Sequence, residues 1–187
     1  MRTSTSRTTS ENADAVGLVV ALLVRFPEIA TLVSHPSAGT LTVSFAIAKK
    51  LDRASQREVR SLLLDHVRSY AELVAESLET IEVACESDES MTFVRMTRDA
   101  RTVTREELQL VTALVARRFG ALLIKSAVAE DEAIDDDPGA QDDLVDYALD
   151  ALRDPEQKKS LVGFREEKRV MVYFVSARKK AKARGRS

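Results

Sequence analysis

Residues 40–47 read Thr-Leu-Thr-Val-Ser-Phe-Ala-Ile, and this stretch decides the fold. Its large apolar side chains fall on every second residue, with small side chains between them. A period of two is typical of a β-strand that buries one face. We therefore predict a strand here, with its large side chains in the core and a second face of small residues.

Two capping boxes mark helices that follow this strand. In a capping box, a Ser or Thr side chain accepts the N–H three residues on, and a Glu at that position reaches back to the cap. Ser55 with Glu58 and Thr104 with Glu107 fit this spacing. Apolar residues at helical spacing follow each box. We therefore predict two amphipathic helices that pack on the sheet.

Two further strands are predicted between these helices. Residues 80–86 and 91–96 have strand character, and the polar turn 87–90 joins them as a hairpin. The resulting order is strand, helix, strand, strand, helix. These are five of the six elements of a ferredoxin-like βαββαβ sandwich. We expect this α+β fold, with the last strand supplied after an insertion.

Composition divides the chain into five regions. We predict a disordered N-terminus, an α+β core, an acidic linker, a helix with a β-hairpin, and a basic disordered tail. Their respective ranges are 1–12, 13–125, 126–142, 143–176 and 177–187. The fourth region either completes the main sheet or forms a small subdomain.

Local sequence patterns predict further helices and strands at both ends of the core. Residues 13–25 and 27–34 predict a pair of helices, because Pro27 suits a first helical turn. Near the other end, a short helix over about 143–153 precedes hairpin strands at 161–164 and 170–175. One face of that helix is apolar, so it is a candidate interaction helix for its own domain, a second copy or a partner. The residues of this face are Leu144, Val145, Ala148, Leu149 and Leu152.

Charge is unevenly distributed along the chain. The net charge is −2, yet residues 130–154 carry a net −10 and residues 155–187 a net +8. The basic tail could bind RNA or DNA by counterion release, without sequence preference. It could instead bind the acidic segment of its own chain, or have no partner. The candidate nucleic-acid contacts are Arg178, Lys179, Lys180, Lys182, Arg184 and Arg186.

Residue types that usually carry catalysis or bind metals are few. The chain has one cysteine, Cys85, and two histidines, His35 and His66, at unrelated positions. The sequence has no glycine-rich phosphate loop, no nucleophile elbow and no recognisable metal-ligand spacing. We therefore predict no catalytic residues, no cofactor and no metal, and we interpret Cys85 as a core residue and both histidines as structural or surface residues.

Two features bear on where the protein is found. A single cysteine cannot form an internal disulfide and fits a reducing compartment. The apolar run 15–24 is about half the length that a membrane-spanning helix needs. We expect a cytoplasmic protein without membrane contact.

A charged group at the end of the 91–96 strand keeps an enzymatic alternative open. Arg95, Arg98, Asp99 and Arg101 lie close together in sequence and could line a pocket for an anionic ligand. A pocket with convergent polar groups would support a small enzyme.

The preferred hypothesis is a non-enzymatic regulatory or adaptor protein that acts through protein–protein contacts as a homodimer. It rests on three features: the scarcity of catalytic motifs, the sheet face of small residues, and the apolar helix joined through an acidic linker. The alternative is a nucleic-acid or ribosome-associated factor that uses the basic tail.

Overall fold

A computed structural model of the chain describes residues 16–17, 19–125, 138–153, 159–166 and 169–175. Within these ranges it has six strands and four helices. The strands are β1 (Thr31–His35), β2 (Thr40–Ile47), β3 (Ile81–Ser87), β4 (Thr92–Asp99), β5 (Ser160–Glu166) and β6 (Arg169–Val175). The helices are α1 (residues 16–17 and 19–25), α2 (Arg53–Leu73), α3 (Arg105–Phe119) and α4 (Pro138–Leu152). The predicted disordered N-terminus, most of the acidic linker and the basic tail lie outside the described residues.

All six strands form one antiparallel sheet in the order β3-β4-β2-β1-β5-β6. The predicted α+β class, the strand at 40–47 and the hairpin of β3 and β4 are confirmed. The C-terminal hairpin of β5 and β6 joins the same sheet, because β5 pairs with β1.

The ferredoxin-like arrangement is not confirmed, because the strand order differs from the expected one. β2, β4 and β3 are ordered as in a split β-α-β unit, with β4 lying between the two strands that α2 connects. The position beside β2 that a sixth element would take belongs to β1. β1 reaches it through the tight 3-10 turn Pro36–Ala38, followed by Gly39 at φ 62°. Such a short connection closes at less entropic cost than a return from the C-terminal region.

The predicted helix over 27–34 is wrong, because β1 begins inside it. Residues 27–28 form a turn, and Ala30 already donates its N–H to the Ser44 carbonyl at 2.8 Å. Leu32 is fully buried, whereas Thr31 and Val33 on either side are half-buried on the opposite face. Pairing with β2 and β5 on both sides satisfies the backbone of β1, so tertiary context overrides the local helix signal.

The two predicted capping boxes have different outcomes. Thr104 caps α3 as expected, since its hydroxyl accepts the Glu107 N–H at 3.2 Å. Ser55 does not cap α2: its own N–H donates to the Asp52 carboxylate at 2.7 Å, and Asp52 is the N-cap. Asp accepts this bond as well as Ser does, so α2 begins earlier than predicted.

One side of the sheet, the covered face, carries the helices. A row of paired residues crosses all six strands on this side: Val83, Met96, Val43, Leu32, Gly163 and Val172. At Gly163 an added Cβ would lie 2.3 Å from Cγ1 of Val19, so α1 packs directly on β5. Apolar residues of all four helices belong to the same buried cluster as the row. The core therefore lies between the covered face and the helices.

The predicted interaction helix is part of that core. It corresponds to α4, which begins at Pro138 rather than near residue 143. Four residues of its apolar face, Val145, Ala148, Leu149 and Leu152, are at most 4% exposed, whereas Leu144 is 42% exposed. The apolar face of α4 thus packs on its own domain, and docking on another molecule through these four residues would require the core to open.

Candidate functional site

The side of the sheet opposite the helices is the candidate site, and we call it the open face. Two rows of paired residues cross all six strands on this side. Eleven of their twelve residues are half-buried or exposed, and Ser44 is the buried one. This exposure means that no described helix covers them. The first row is Glu82, Thr97, Thr42, Val33, Val162 and Tyr173, and the second is Ala84, Arg95, Ser44, Thr31, Phe164 and Met171.

The open face is concave over β1 to β4. A groove of about 470 Å³ lies there, with Thr31, Val33, Thr42 and Thr97 among its lining residues. Residues 40–47 supply its floor, because the small side chains between the large apolar ones leave room above β2. The predicted face of small residues is therefore the base of a groove.

Two pairs of polar side chains in the groove bond each other. The hydroxyls of Thr42 and Thr97 are hydrogen-bonded at 2.9 Å across β2 and β4. Arg95 forms an ion pair with Glu86 on β3. This part of the face, which we call the polar half, therefore presents hydroxyls, the Arg95–Glu86 ion pair and the exposed Glu82 carboxylate to a ligand.

The remaining part of the open face, over β5 and β6, is mainly apolar, with Glu166 and Arg169 paired at its hairpin end, and we call it the apolar half. Phe164 and Tyr173 stack there with ring centroids 5.6 Å apart and planes 9° from parallel. Val162 and Met171 lie beside them in the same two rows. Tyr173 is 49% exposed, so an aromatic surface faces solvent next to the polar groove. Aromatic and Met side chains in partly exposed clusters are typical of protein-binding surfaces.

A buried charge cluster lies on the opposite side of the sheet. Arg98 is 1% exposed and donates to Glu107 through Nε at 2.7 Å and through Nη2 at 3.1 Å. Its other donors bind Thr102 at 3.1 Å, the Thr80 carbonyl at 2.8 Å and the Asp99 carboxylate. A guanidinium has five N–H groups, so all of them are used. The cluster holds the end of β4 against α3 and the start of β3.

Burial and hydrogen bonding set the pKa values of this cluster. Removal from water raises the pKa of Glu107, and the contacts with Arg98 offset this only in part. Burial also acts to raise the pKa of Asp99, but hydrogen bonds from Thr102, the Thr80 N–H and Arg98 outweigh it and lower the pKa. For Arg98 burial acts to lower the pKa, and the two carboxylates reverse the effect. The cluster is an ion-paired structural element.

The residues predicted as an anion pocket are therefore not brought together. Arg98 and Asp99 lie in the buried cluster, whereas Arg95 points to the open face. Arg101 is two-thirds exposed and pairs with Glu79. Alternation along β4 separates Arg95 from Arg98 by placing them on opposite faces, and no convergent cationic pocket results.

Cys85 and the two histidines lie at three separate places. Cys85 is half-buried on the covered face of β3, and burial raises the pKa of its thiol. Nδ1 of His66 donates to the Leu62 carbonyl at 2.8 Å on exposed α2 surface, and His35 lies at the end of β1 within 3.4 Å of the Ser160 hydroxyl. Among the described residues, no three His, Cys, Asp or Glu side chains are grouped so that they could hold a metal ion.

No family model, no curated protein and no solved structure matches this chain. Of the helices that the structure describes, none combines the length and the apolar character that crossing a membrane requires. The candidate nucleic-acid contacts from Arg178 to Arg186 lie outside the described residues.

Sequence reasoning missed two features of the site. The apolar half was not expected, because the hairpin was interpreted as either completing the sheet or forming a small subdomain, and its outward residues were not assigned to a face. The burial of Arg98 was also missed, although it has the same parity on β4 as Val94 and Met96, both of which are buried. Strand alternation was the signal that could have identified it.

Proposed function

We propose that this protein is a non-enzymatic regulatory or adaptor protein that binds a protein partner through the open face and works as a homodimer. The observation that carries the proposal is a face of the six-stranded sheet that no described helix covers, with a polar groove and an aromatic patch side by side. An antiparallel sheet can leave one face in solvent, but a contiguous aromatic and apolar patch on that face is a candidate for intermolecular contact.

The chemistry of the open face supports binding rather than catalysis. The Thr42 and Thr97 hydroxyls bond each other, and the guanidinium of Arg95 is paired with Glu86. The buried ionisable groups around Arg98 are enclosed on the covered face, away from the groove. A polar surface next to exposed aromatic rings resembles the mixed composition of protein interfaces.

Affinity purification of the full chain from its own cells tests this proposal. Thr97→Arg adds a long cation in the groove, and Leu73→Arg is the matched control, since Leu73 is 84% exposed at the end of α2. We expect the proteins retained by the wild type to be retained by Leu73→Arg and reduced at least about tenfold by Thr97→Arg, which corresponds to the loss of roughly 1.4 kcal/mol of binding energy.

Two results would count against the proposal. Equal retention by both variants would mean that the groove is not the binding surface. Retention that is lost after nuclease treatment would favour the nucleic-acid alternative. Thermal melting of both variants checks that Thr97→Arg is folded.

A further inference from the structure

The two edges of the sheet differ in how well they resist pairing with another strand. β3 and β6 each have a single neighbouring strand among the described residues. The β3 edge carries exposed Glu82 and Glu86, and charges on an edge strand oppose the approach of a second strand. The β6 edge has one charged residue, Arg169, at its first position, and no proline or glycine.

β6 also exposes large apolar side chains near its C-terminal end. Tyr173, Phe174 and Val175 are 49%, 38% and 46% exposed. Alternate backbone N–H and C=O groups of an edge strand point away from its neighbour and can accept another strand. β6 itself carries no charge after Arg169, and Lys159 Nζ lies 5.4 Å from the Phe174 ring centroid. An exposed apolar edge with so few charges favours strand addition.

We infer that β6 pairs antiparallel with β6 of a second copy, and that this pairing forms the homodimer. This inference rests on the proposed function, of which the homodimer is a part. The strand is self-complementary: full overlap of residues 169–175 places Val172 on the two-fold axis. Met171 then pairs with Tyr173 of the second copy, and Val170 pairs with its Phe174. Arg169 pairs with Val175, so like charges are not opposed.

Pairing at β6 would join the two apolar halves. Phe164, Met171 and Tyr173 of each copy would meet at the centre of a twelve-stranded sheet, with one polar groove on each side of it on the same face. A second copy therefore suits this edge better than a chemically different strand. The apolar side chains of β5 and β6 in one copy would lie beside the apolar side chains of β5 and β6 in the other.

Single-cysteine crosslinking tests the register. In a Cys85→Ala background, Val172→Cys places two cysteines opposite each other on the axis, with Cα atoms about 4.5–5.5 Å apart, within the range that a disulfide bridges. Met171→Cys separates its two cysteines by two residues along the strands, roughly 8 Å from Cα to Cα, beyond that range. Ala84→Cys, at the middle of β3, is the control for the opposite edge.

The inference predicts oxidative dimers from Val172→Cys at least about tenfold faster than from Met171→Cys or Ala84→Cys. Faster crosslinking at Ala84 than at Val172, or equal rates at Val172 and Met171, would overturn it. Light scattering gives the second measurement: the wild type should have twice the 20.7 kDa chain mass, and Tyr173→Lys should have the mass of one chain. Leu73→Lys, a lysine at another exposed apolar position, should remain a dimer.

The outcomes separate this inference from the proposed function. A dimeric wild type that remains dimeric as Tyr173→Lys would overturn the β6 interface and leave a homodimer through another surface. A monomeric wild type would overturn both the interface and the homodimer, while partner binding through the groove would still be decided by the Thr97→Arg comparison.

Discussion

The two faces of the sheet are built from the same strands, yet they have opposite character. On β2, Val43 is 2% exposed beneath the helices, while Thr42 on the other face lines the groove. On β4, Arg98 is enclosed by two carboxylates, while Arg95 lies on the open face in an ion pair that is partly exposed. Alternation along each strand therefore separates the residues that hold the fold from the residues available for binding.

This separation predicts that equivalent substitutions on the two faces will have unequal effects on stability. Side chains on the covered face are removed from water when the protein folds. Truncating one of them therefore leaves a cavity or an unpaired charge in the core. Open-face residues remain partly in contact with water, so we expect their loss to lower stability less.

The largest contrast is expected between the two arginines of β4. Arg98→Ala leaves the Asp99 and Glu107 carboxylates buried without a counter-ion, and we expect it to lower the free energy of unfolding by about 3–5 kcal/mol. Arg95→Ala removes a partly exposed ion pair and should cost about 0.2–1 kcal/mol. Urea denaturation measures both values. Equal losses would contradict the assignment of Arg98 to a buried cluster.

A second contrast compares two phenylalanines. Phe45 is fully buried on the covered face, and Phe45→Ala should cost about 3–5 kcal/mol through lost burial and the cavity left behind. Phe164→Ala removes the stacking partner of Tyr173 on the open face, which is worth about 0.5–1.5 kcal/mol beyond the area buried. A smaller loss for Phe45 than for Phe164, in the same denaturation experiment, would mean that the faces have been assigned the wrong way round.

The smallest expected effect is the change with pH in the stability that the Asp99 carboxylate contributes. The pKa of Asp99 in the folded protein lies below its ordinary value of 3.8, so its contribution to stability is present above about pH 3.8 and is lost as the pH falls through the folded pKa. The difference in stability between wild type and Asp99→Asn should therefore shrink as the pH falls below 3.8. Glu107 has the opposite sign, because its raised pKa favours the folded state at low pH.

Denaturation curves between neutral pH and pH 2 measure this change. Asp143→Asn, on the exposed surface of α4, is the control for removing a carboxylate, and should change stability by less than about 0.5 kcal/mol. An Asp99→Asn difference that stays constant over the whole range would show that the Asp99 carboxylate is not stabilised by its hydrogen bonds.

The same comparison shows how much of the fold could be predicted from the sequence. Strict alternation over 40–47 and the Thr104 cap identified β2 and the start of α3, because both signals are local. β1 was missed because its five residues are too short to establish a period, and its pairing with β2 and β5 was not visible locally. The strand order could not be predicted, since it depends on which distant segments pair.

The candidate site was predictable in part. The small residues of β2 indicated an open face, and that face became the floor of the groove. The spacing of Thr104 and Glu107 suggested a reciprocal cap, but the Glu107 side chain instead binds Arg98. Nothing in the local sequence distinguishes a Glu that reaches back to its cap from one that reaches across to a neighbouring strand.

Site-specific photocrosslinking measures most directly whether the open face is the binding surface. A benzoylphenylalanine at Thr42, in the groove, is compared in living cells with the same probe at Leu73, at the exposed end of α2. We predict discrete protein adducts from the Thr42 probe and at least about tenfold less of the same adducts from the Leu73 probe. Equal yields of the same adducts at both positions, or adducts from Leu73 alone, would contradict the account.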